Sequence, residues 1–334
     1  MGLLSPVIAA VAGAASPPFP AIGYITAFDP AFDEVIAADA RIEKLADGIT
    51  WAEGPAWIGS GGYLLFSDVP KNRIYRWSEQ DGLAVFLEPS GYAGADDGTL
   101  REPGANGLFA ESQGTVLLAD SGSRGIARLD PRTKQKTMLA TRFEGHRFNS
   151  PNDLVRSHGG AVFFTDPPYG LQGIEHSPVR ELAFSGVYRL DPDGSVHLLD
   201  DSLKFPNGIA LSPDGRHLYV SNSDPANPVW MVYALDAHGA VRGKHVFADA
   251  TDLVRAGDQG NPDGMCMAAD GRLFSAAPGG LLVFSPAGKR LGRIATGSVV
   301  SNCEFGDDGH TLYMTSSSFI ARVRVKVRGL DVAH

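Results

Sequence analysis

The chain has 334 residues, is 43% hydrophobic and 20% charged, and carries a net charge of −9 from 29 basic and 38 acidic side chains. This is the composition of a soluble globular protein, and its acidic balance excludes nucleic acid and anionic membrane surfaces as partners, since both call for a basic face. Two cysteines, Cys266 and Cys303, are too few for a disulfide framework and read as buried, reduced thiols.

Residues 1–16 are apolar and end in an A-x-A-like stretch, but they lack the positive n-region of a secretory signal and are too short to span a bilayer. They read as part of an N-terminal extension over 1–40. That reading favours the cytoplasm; a trimmed export signal would instead place the protein outside it. An isolated strand signal, Arg41 to Leu45, follows. The chain then repeats itself. Glu53-Gly-Pro, Asn106-Gly-Leu, Asn152-Asp-Leu, Asn207-Gly-Ile, Asp263-Gly-Met and Asn302-Cys-Glu each open an apolar strand, at intervals of 53, 46, 55, 56 and 39 residues. After each anchor comes a Gly-containing turn and a second strand ending in a small or polar residue, as in YLLFSD to Asp68, AVFFTD to Asp166 and HLYVSN to Asn222. A third strand follows, such as IYRW (74–77) or VYRLD (187–191), and in some repeats a fourth, such as Ser195 to Leu199.

An all-β pattern repeating every ~40–55 residues predicts a β-propeller with one repeat per blade. The expected fold is therefore an all-β, six-bladed β-propeller of four-stranded antiparallel blades. The last repeat lacks a fourth strand, and only nine residues follow Val325. An open sheet edge there would invite aggregation, so the N-terminal strand is expected to complete the sixth blade. This sets the propeller at 41–326 and a C-terminal tail at 327–334. Two long connections, Gly91 to Gly104 and Tyr169 to Ser185, have the length of functional rims.

Equivalent positions in six blades fall on one ring about the axis. Here the ring would hold two carboxylates, four carboxamides and no cation. Asn-Gly and Asp-Gly are also common turn dipeptides, but these precede apolar strands and all six anchors carry oxygen ligands. Calcium takes six to eight oxygens, at ~2.3–2.6 Å, from just such groups. Glu53 and Asp263 would neutralise the ion, and asparagines would complete its shell. No His or Cys cluster has the spacing of zinc ligands, and magnesium favours a smaller, more hydrated shell.

The motifs Trp51-Ala52-Glu53-Gly54-Pro55, Ser150-Pro151-Asn152-Asp153, Phe205-Pro206-Asn207-Gly208 and Pro262-Asp263-Gly264-Met265 resemble the senescence-marker-protein/gluconolactonase/regucalcin family of six-bladed calcium propellers over residues 40–326. The Asn106 motif and Thr165-Asp166-Pro167-Pro168-Tyr169-Gly170 resemble its bacterial gluconolactonase-like branch. The resemblance implies metal ligands at Glu53, Asn152, Asn207 and Asp263, with Asn152 also facing substrate. It implies calcium as cofactor, with manganese, zinc or magnesium as substitutes. It implies lactonase activity on an aldono-lactone, with the ion as Lewis acid and Asn106 as an oxyanion donor. Asp263 is then the base the resemblance suggests. A cation weakens a carboxylate it binds as a base, and Asp153 is the alternative. Ser150 stands where animal members have an arginine, so His146 or Arg147 is the expected sugar-hydroxyl partner. Asp166, Tyr169 and Tyr92 are further candidates, while Trp57 reads as core. No Gly-x-Ser-x-Gly elbow is present. Two other functions fit the same ring. One is a phosphotriesterase of the diisopropyl-fluorophosphatase type, which a more apolar pocket would favour. The other is a non-catalytic propeller pinned by its ion. The expected partner is a small sugar lactone; oligomeric state is left open.

Overall fold

Runs such as Tyr63–Asp68 and Val162–Asp166 are rich in β-branched and aromatic residues and are bounded by tight turns, which suits them to a pleated, half-buried sheet. The computed structural model describes residues 19–95 and 97–330, so the apolar stretch 1–16 lies outside the described residues. Six antiparallel blades succeed one another along the chain, each with its first strand innermost. The inner strands are Ala52–Ile58, Leu108–Ala110, Leu154–Arg156, Pro206–Leu211, Met265–Met267 and Val300–Gly306. Each packs against the inner strand of the next blade, and the last packs against the first, so they form a closed ring. Among the described residues the single α-helix is Thr251–Arg255.

Closure follows the expected route. Strand Ile42–Asp47 pairs antiparallel with Phe319–Arg324 and supplies the fourth strand of blade six, with Arg322 opposite Glu43 and bonded to it at 2.7 Å. Further upstream, Ala21–Ile22 adds a fifth strand to that blade and Tyr24–Ala27 a fifth strand to blade five. The segment before residue 41 thus covers two outer edges that would otherwise present unpaired backbone groups.

Hydrophobic clusters fill the wedges between neighbouring blades. The largest, where blades five, six and one meet, contains Trp57, stacked on Tyr313 with centroids 5.3 Å apart, and Phe274 edge-on to Phe305 at 5.3 Å. Trp57 is therefore a core residue. Cys266 and Cys303 are free thiols buried on adjacent inner strands. Hydroxyls also stitch the blades together. Ser67 Oγ donates to the Asn106 carbonyl at 2.7 Å, Thr165 Oγ1 to that of Asn207 at 2.6 Å, Ser221 Oγ to that of Asp263 at 2.9 Å, and Ser301 Oγ to that of Ala52 at 2.6 Å. Each second-strand hydroxyl of the first three pairs thereby fixes the height of the next blade's anchor.

The closing strand is held by its apolar face. Ile42→Ala, at a site only 2% exposed, is expected to destabilise the protein by about 2–5 kcal/mol in urea unfolding; a loss below about 1 kcal/mol would mean that the strand does not carry closure.

Candidate active site

Where the inner strands begin, the axial channel opens into a cavity of about 450 Å³ lined by Glu53, Asn106, Asn152, Asn207 and Asp263. Five of the six sequence anchors thus share one pocket. The local geometry is repetitive. Each of four anchors is followed by glycine, and a Cβ at Gly54 would overlap the Asn106 carbonyl, at Gly107 the Asp153 side chain, at Gly208 the Asp263 carbonyl and at Gly264 the Asn302 side chain. These glycines let adjacent blades approach closely enough for their anchors to meet.

Blade six departs from the expected register. Gly107 N–H donates to the Asn152 carbonyl at 2.8 Å, and the corresponding bond from Gly264 goes to Ser301, also at 2.8 Å. The anchor of blade six is therefore Ser301. A register shift between Val300 and Asn302 moves Asn302 one place along the strand, level with Asp153. Asp153 and Asn302 line a second, narrower cavity of about 50 Å³ further along the inner strands. Asn302 Nδ2 lies 3.4 Å from Asp153 Oδ2, and Asp153 Oδ1 accepts from Leu154 N–H at 2.9 Å.

The residues that end the second strands act as braces. Asp166 accepts from the N–H groups of Asn149 and Ser150, both at 2.8 Å. Asp68 does the same for Thr50 and Trp51, at 2.9 and 3.2 Å, and Asn222 for Phe205 at 3.0 Å. Each brace holds the segment just before an anchor. Asp166 is fully buried away from the pocket, and burial pushes its carboxyl up to about 7. Tyr169 does line the pocket; its ring stacks on Phe205 at 5.1 Å, and burial raises its phenol well above the usual range. His146 and Arg147 sit on a short hairpin paired with Arg142 and Phe143, and they are not among the pocket-lining residues. Arg147 N–H is engaged by Glu181 at 2.7 Å. Tyr92 braces the first long loop through its N–H to the Pro103 carbonyl, at 2.8 Å.

Several pocket residues are absent from the repeat pattern: Trp51, Arg101, Glu102, Ser223 and Asn261. Trp51 and Asn261 lie two residues before anchors, a position that sequence periodicity could have flagged. Arg101 and Glu102 come from the long loop and share no period with the strands.

The electrostatics are unusual. Burial and the charge of Asp153 push the Glu53 carboxyl up to about 8. Burial and the charges of Glu53 and Asp153 raise Asp263 well above the carboxylate range. Arg101, the one basic side chain lining the pocket among the described residues, is paired with Glu102 at 3.2 Å. The donor set is chemically suited to a hard divalent cation. Asn207 Nδ2 donates to Ser223 Oγ at 3.0 Å, which leaves its Oδ1 for the pocket. Among the described residues Glu53 receives only Trp51 Nε1 at 3.3 Å and Gly54 N–H at 3.1 Å, one on each oxygen. Among the described residues no three His, Cys, Asp or Glu side chains cluster as a metal site; the set here is two carboxylates among carboxamides. Oxygen donors gathered without a compensating cation fit calcium-type coordination.

The family model for the SMP-30/gluconolactonase/LRE-like region matches residues 51–318. A gluconolactonase of Zymomonas mobilis is 44% identical over 92% of this chain and 88% of its own length. A solved gluconolactonase structure from Xanthomonas campestris superposes with a TM-score of 0.78 at 32% identity, covering 93% of this chain and 99% of that one. Diisopropyl-fluorophosphatase of Loligo vulgaris is 25% identical over 76% of this chain and 81% of its own length.

The raised Glu53 carboxyl has a thermodynamic consequence. Between the ordinary glutamate value of 4.5 and about 8 the native state holds a proton that the unfolded chain has released, so the metal-free protein should lose stability as pH rises through that window. Thermal unfolding of chelator-treated protein from pH 5 to 8 checks this. A stability that rises across the window would contradict it.

Proposed function

The chain belongs to the SMP-30/gluconolactonase/LRE-like family and is a lactonase-type hydrolase, and from this premise we propose that it opens a sugar lactone, of the aldono-lactone class, with the help of one divalent cation. The observation that carries the reading is the buried Glu53–Asp263 pair, in which Glu53 raises Asp263 while the one basic side chain lining the pocket among the described residues, Arg101, is paired with Glu102. Glu53, Asn152, Asn207 and Asp263 are the proposed ligands, with calcium as the expected ion and manganese, zinc or magnesium as substitutes. Bound there, the ion would supply Lewis acidity toward the lactone carbonyl oxygen.

The chain's own residues supply the remainder. The Asn106 carboxamide, fixed in height by Ser67 through its backbone carbonyl, would donate to the oxygen on which charge develops. Tyr169, locked by its stack on Phe205, forms a flat wall for one sugar face. Asn152, which lines the same pocket, would serve both the ion and the substrate. The pocket is of a size suited to a small ligand, and its walls carry Thr50, Ser223 and Asn261 beside the anchors. This polar lining favours a hydroxylated lactone over an apolar phosphotriester.

Ring opening yields an acid and releases a proton, so a pH-indicator assay on a panel of sugar lactones, with and without chelator, tests the proposal. Turnover that is lost with chelator and restored by a divalent cation is expected. Glu53→Gln and Asp263→Asn should each weaken cation binding and lower kcat/KM by at least about 100-fold, in the range seen when electrostatic stabilisation is removed. Full activity in both variants, or turnover of diisopropyl fluorophosphate in preference to every lactone, would contradict it.

A further inference from the structure

Glu102 is a pocket carboxylate that the repeat pattern does not explain. It lies on the connection between blades one and two, outside the propeller strands, yet lines the same cavity as Glu53, Asn106 and Asp263. Its side chain is only 13% exposed. The backbone around it is clamped. Arg101 and Glu102 N–H both donate to the Gly170 carbonyl, at 2.8 and 3.2 Å, and Gln172 N–H donates back to the Thr99 carbonyl at 2.8 Å. Leu100 bridges Leu171, joining the two long connections. On the other side, a Cβ at Gly91 or at Gly122 would overlap the Pro103 carbonyl. Such a clamp fixes the backbone that brings Glu102 to the pocket wall.

Its chemistry differs from that of the other pocket carboxylates. Arg101 Nη2 pairs with Glu102 Oε1 at 3.2 Å; among the described residues no hydrogen bond engages Oε2. Glu102 is not among the proposed cation ligands. It lines the same cavity as Glu53, Asp263 and Tyr169, and its charge adds to the raising of all three. Asp263 is a poorer proton acceptor, because a cation it helps to bind lowers its basicity. Asp153 faces the narrower cavity further along the strands, with both oxygens engaged.

We propose that Glu102 is the catalytic base of this pocket, accepting a proton from the water that attacks the lactone carbonyl. The proposal rests on the lactonase reading given above. In the step, an O–H bond of water breaks as its oxygen bonds to the carbonyl carbon, and the proton passes to the Glu102 carboxylate. When the tetrahedral carbon collapses, its bond to the ring oxygen breaks. That oxygen takes the proton from Glu102, leaving the hydroxy acid and a regenerated carboxylate. Burial pushes the Glu102 carboxyl up to about 7, a basicity suited to proton transfer near neutral pH.

The test compares wild type, Glu102→Gln and Glu102→Ala on a lactone the wild type opens. Glu102→Gln should lower kcat by about 100–10,000-fold with KM little changed, abolish the acidic limb of the kcat/KM–pH profile, and weaken calcium binding by calorimetry far less than Glu53→Gln does, since its charge is the weakest of the influences on Glu53 and Asp263. Formate should restore part of the kcat of Glu102→Ala by acting as a diffusible base, a rescue that no purely structural role predicts. If Glu102→Gln does not fold, Glu102→Ala with and without formate carries the test. A variant with kcat near wild type and only a raised KM would overturn the proposal, as would a loss traced wholly to weaker calcium binding. A wild type that opens no lactone would remove the lactonase reading and this proposal with it. An active wild type with active variants would remove this proposal alone.

Discussion

Two carboxylates, Glu53 and Asp263, are buried within each other's field at one end of the axial channel, and the nearest lining guanidinium, Arg101, is committed to Glu102. Water screens such repulsion at a surface but not in a buried site. The fold carries this cost in the middle of its most regular feature, the ring of inner strands. Desolvated like charges of this kind are seldom retained for stability, and perturbed groups in a cleft point to a functional site. A divalent cation would make the arrangement favourable, because the same field that opposes the pair would bind the ion.

The propeller makes the convergence rigid. Every anchor is reached by a short inner strand; Asn106, Asn207 and Asp263 are tied by a neighbouring blade's hydroxyl on the anchor carbonyl, the segments before Glu53, Asn152 and Asn207 by a second-strand Asp or Asn, and Asn207 thus by both. Glycines after four anchors remove the side chains that would keep adjacent blades apart. Closure by Ile42–Asp47 then prevents the ring from opening at its seam. Stability and site geometry thus share one set of contacts, so damage to a blade seam should reach the pocket.

Much of this was legible in the sequence, because the repeat fixes both topology and the first residue of each inner strand. The six blades, the closing strand, the core role of Trp57 and the convergence of Glu53, Asn106, Asn152, Asn207 and Asp263 all follow from spacing and residue type. In blade six the repeat points one residue out of register, since Asn302 mimics an anchor while Ser301 makes the anchor's bond to Gly264. His146 and Arg147 precede an anchor in sequence, but a short hairpin carries them away from the pocket. Asp166 serves the site indirectly, by bracing Ser150 and Asn149. Glu102 carries no such signal for a different reason. It sits in a connection with no period, and only the pairing of that loop with residues 170–172 brings it over the channel.

The central claim is that oxygens from separate blades share one cation on the axis. Crystals grown with manganese, measured for its anomalous scattering, test it most directly. A single strong peak within about 2.0–2.6 Å of oxygens from Glu53, Asn207 and Asp263 is the predicted result, given the bond lengths of hard cations. A peak seated instead between Asp153 and Asn302, or none at saturating manganese, would contradict it.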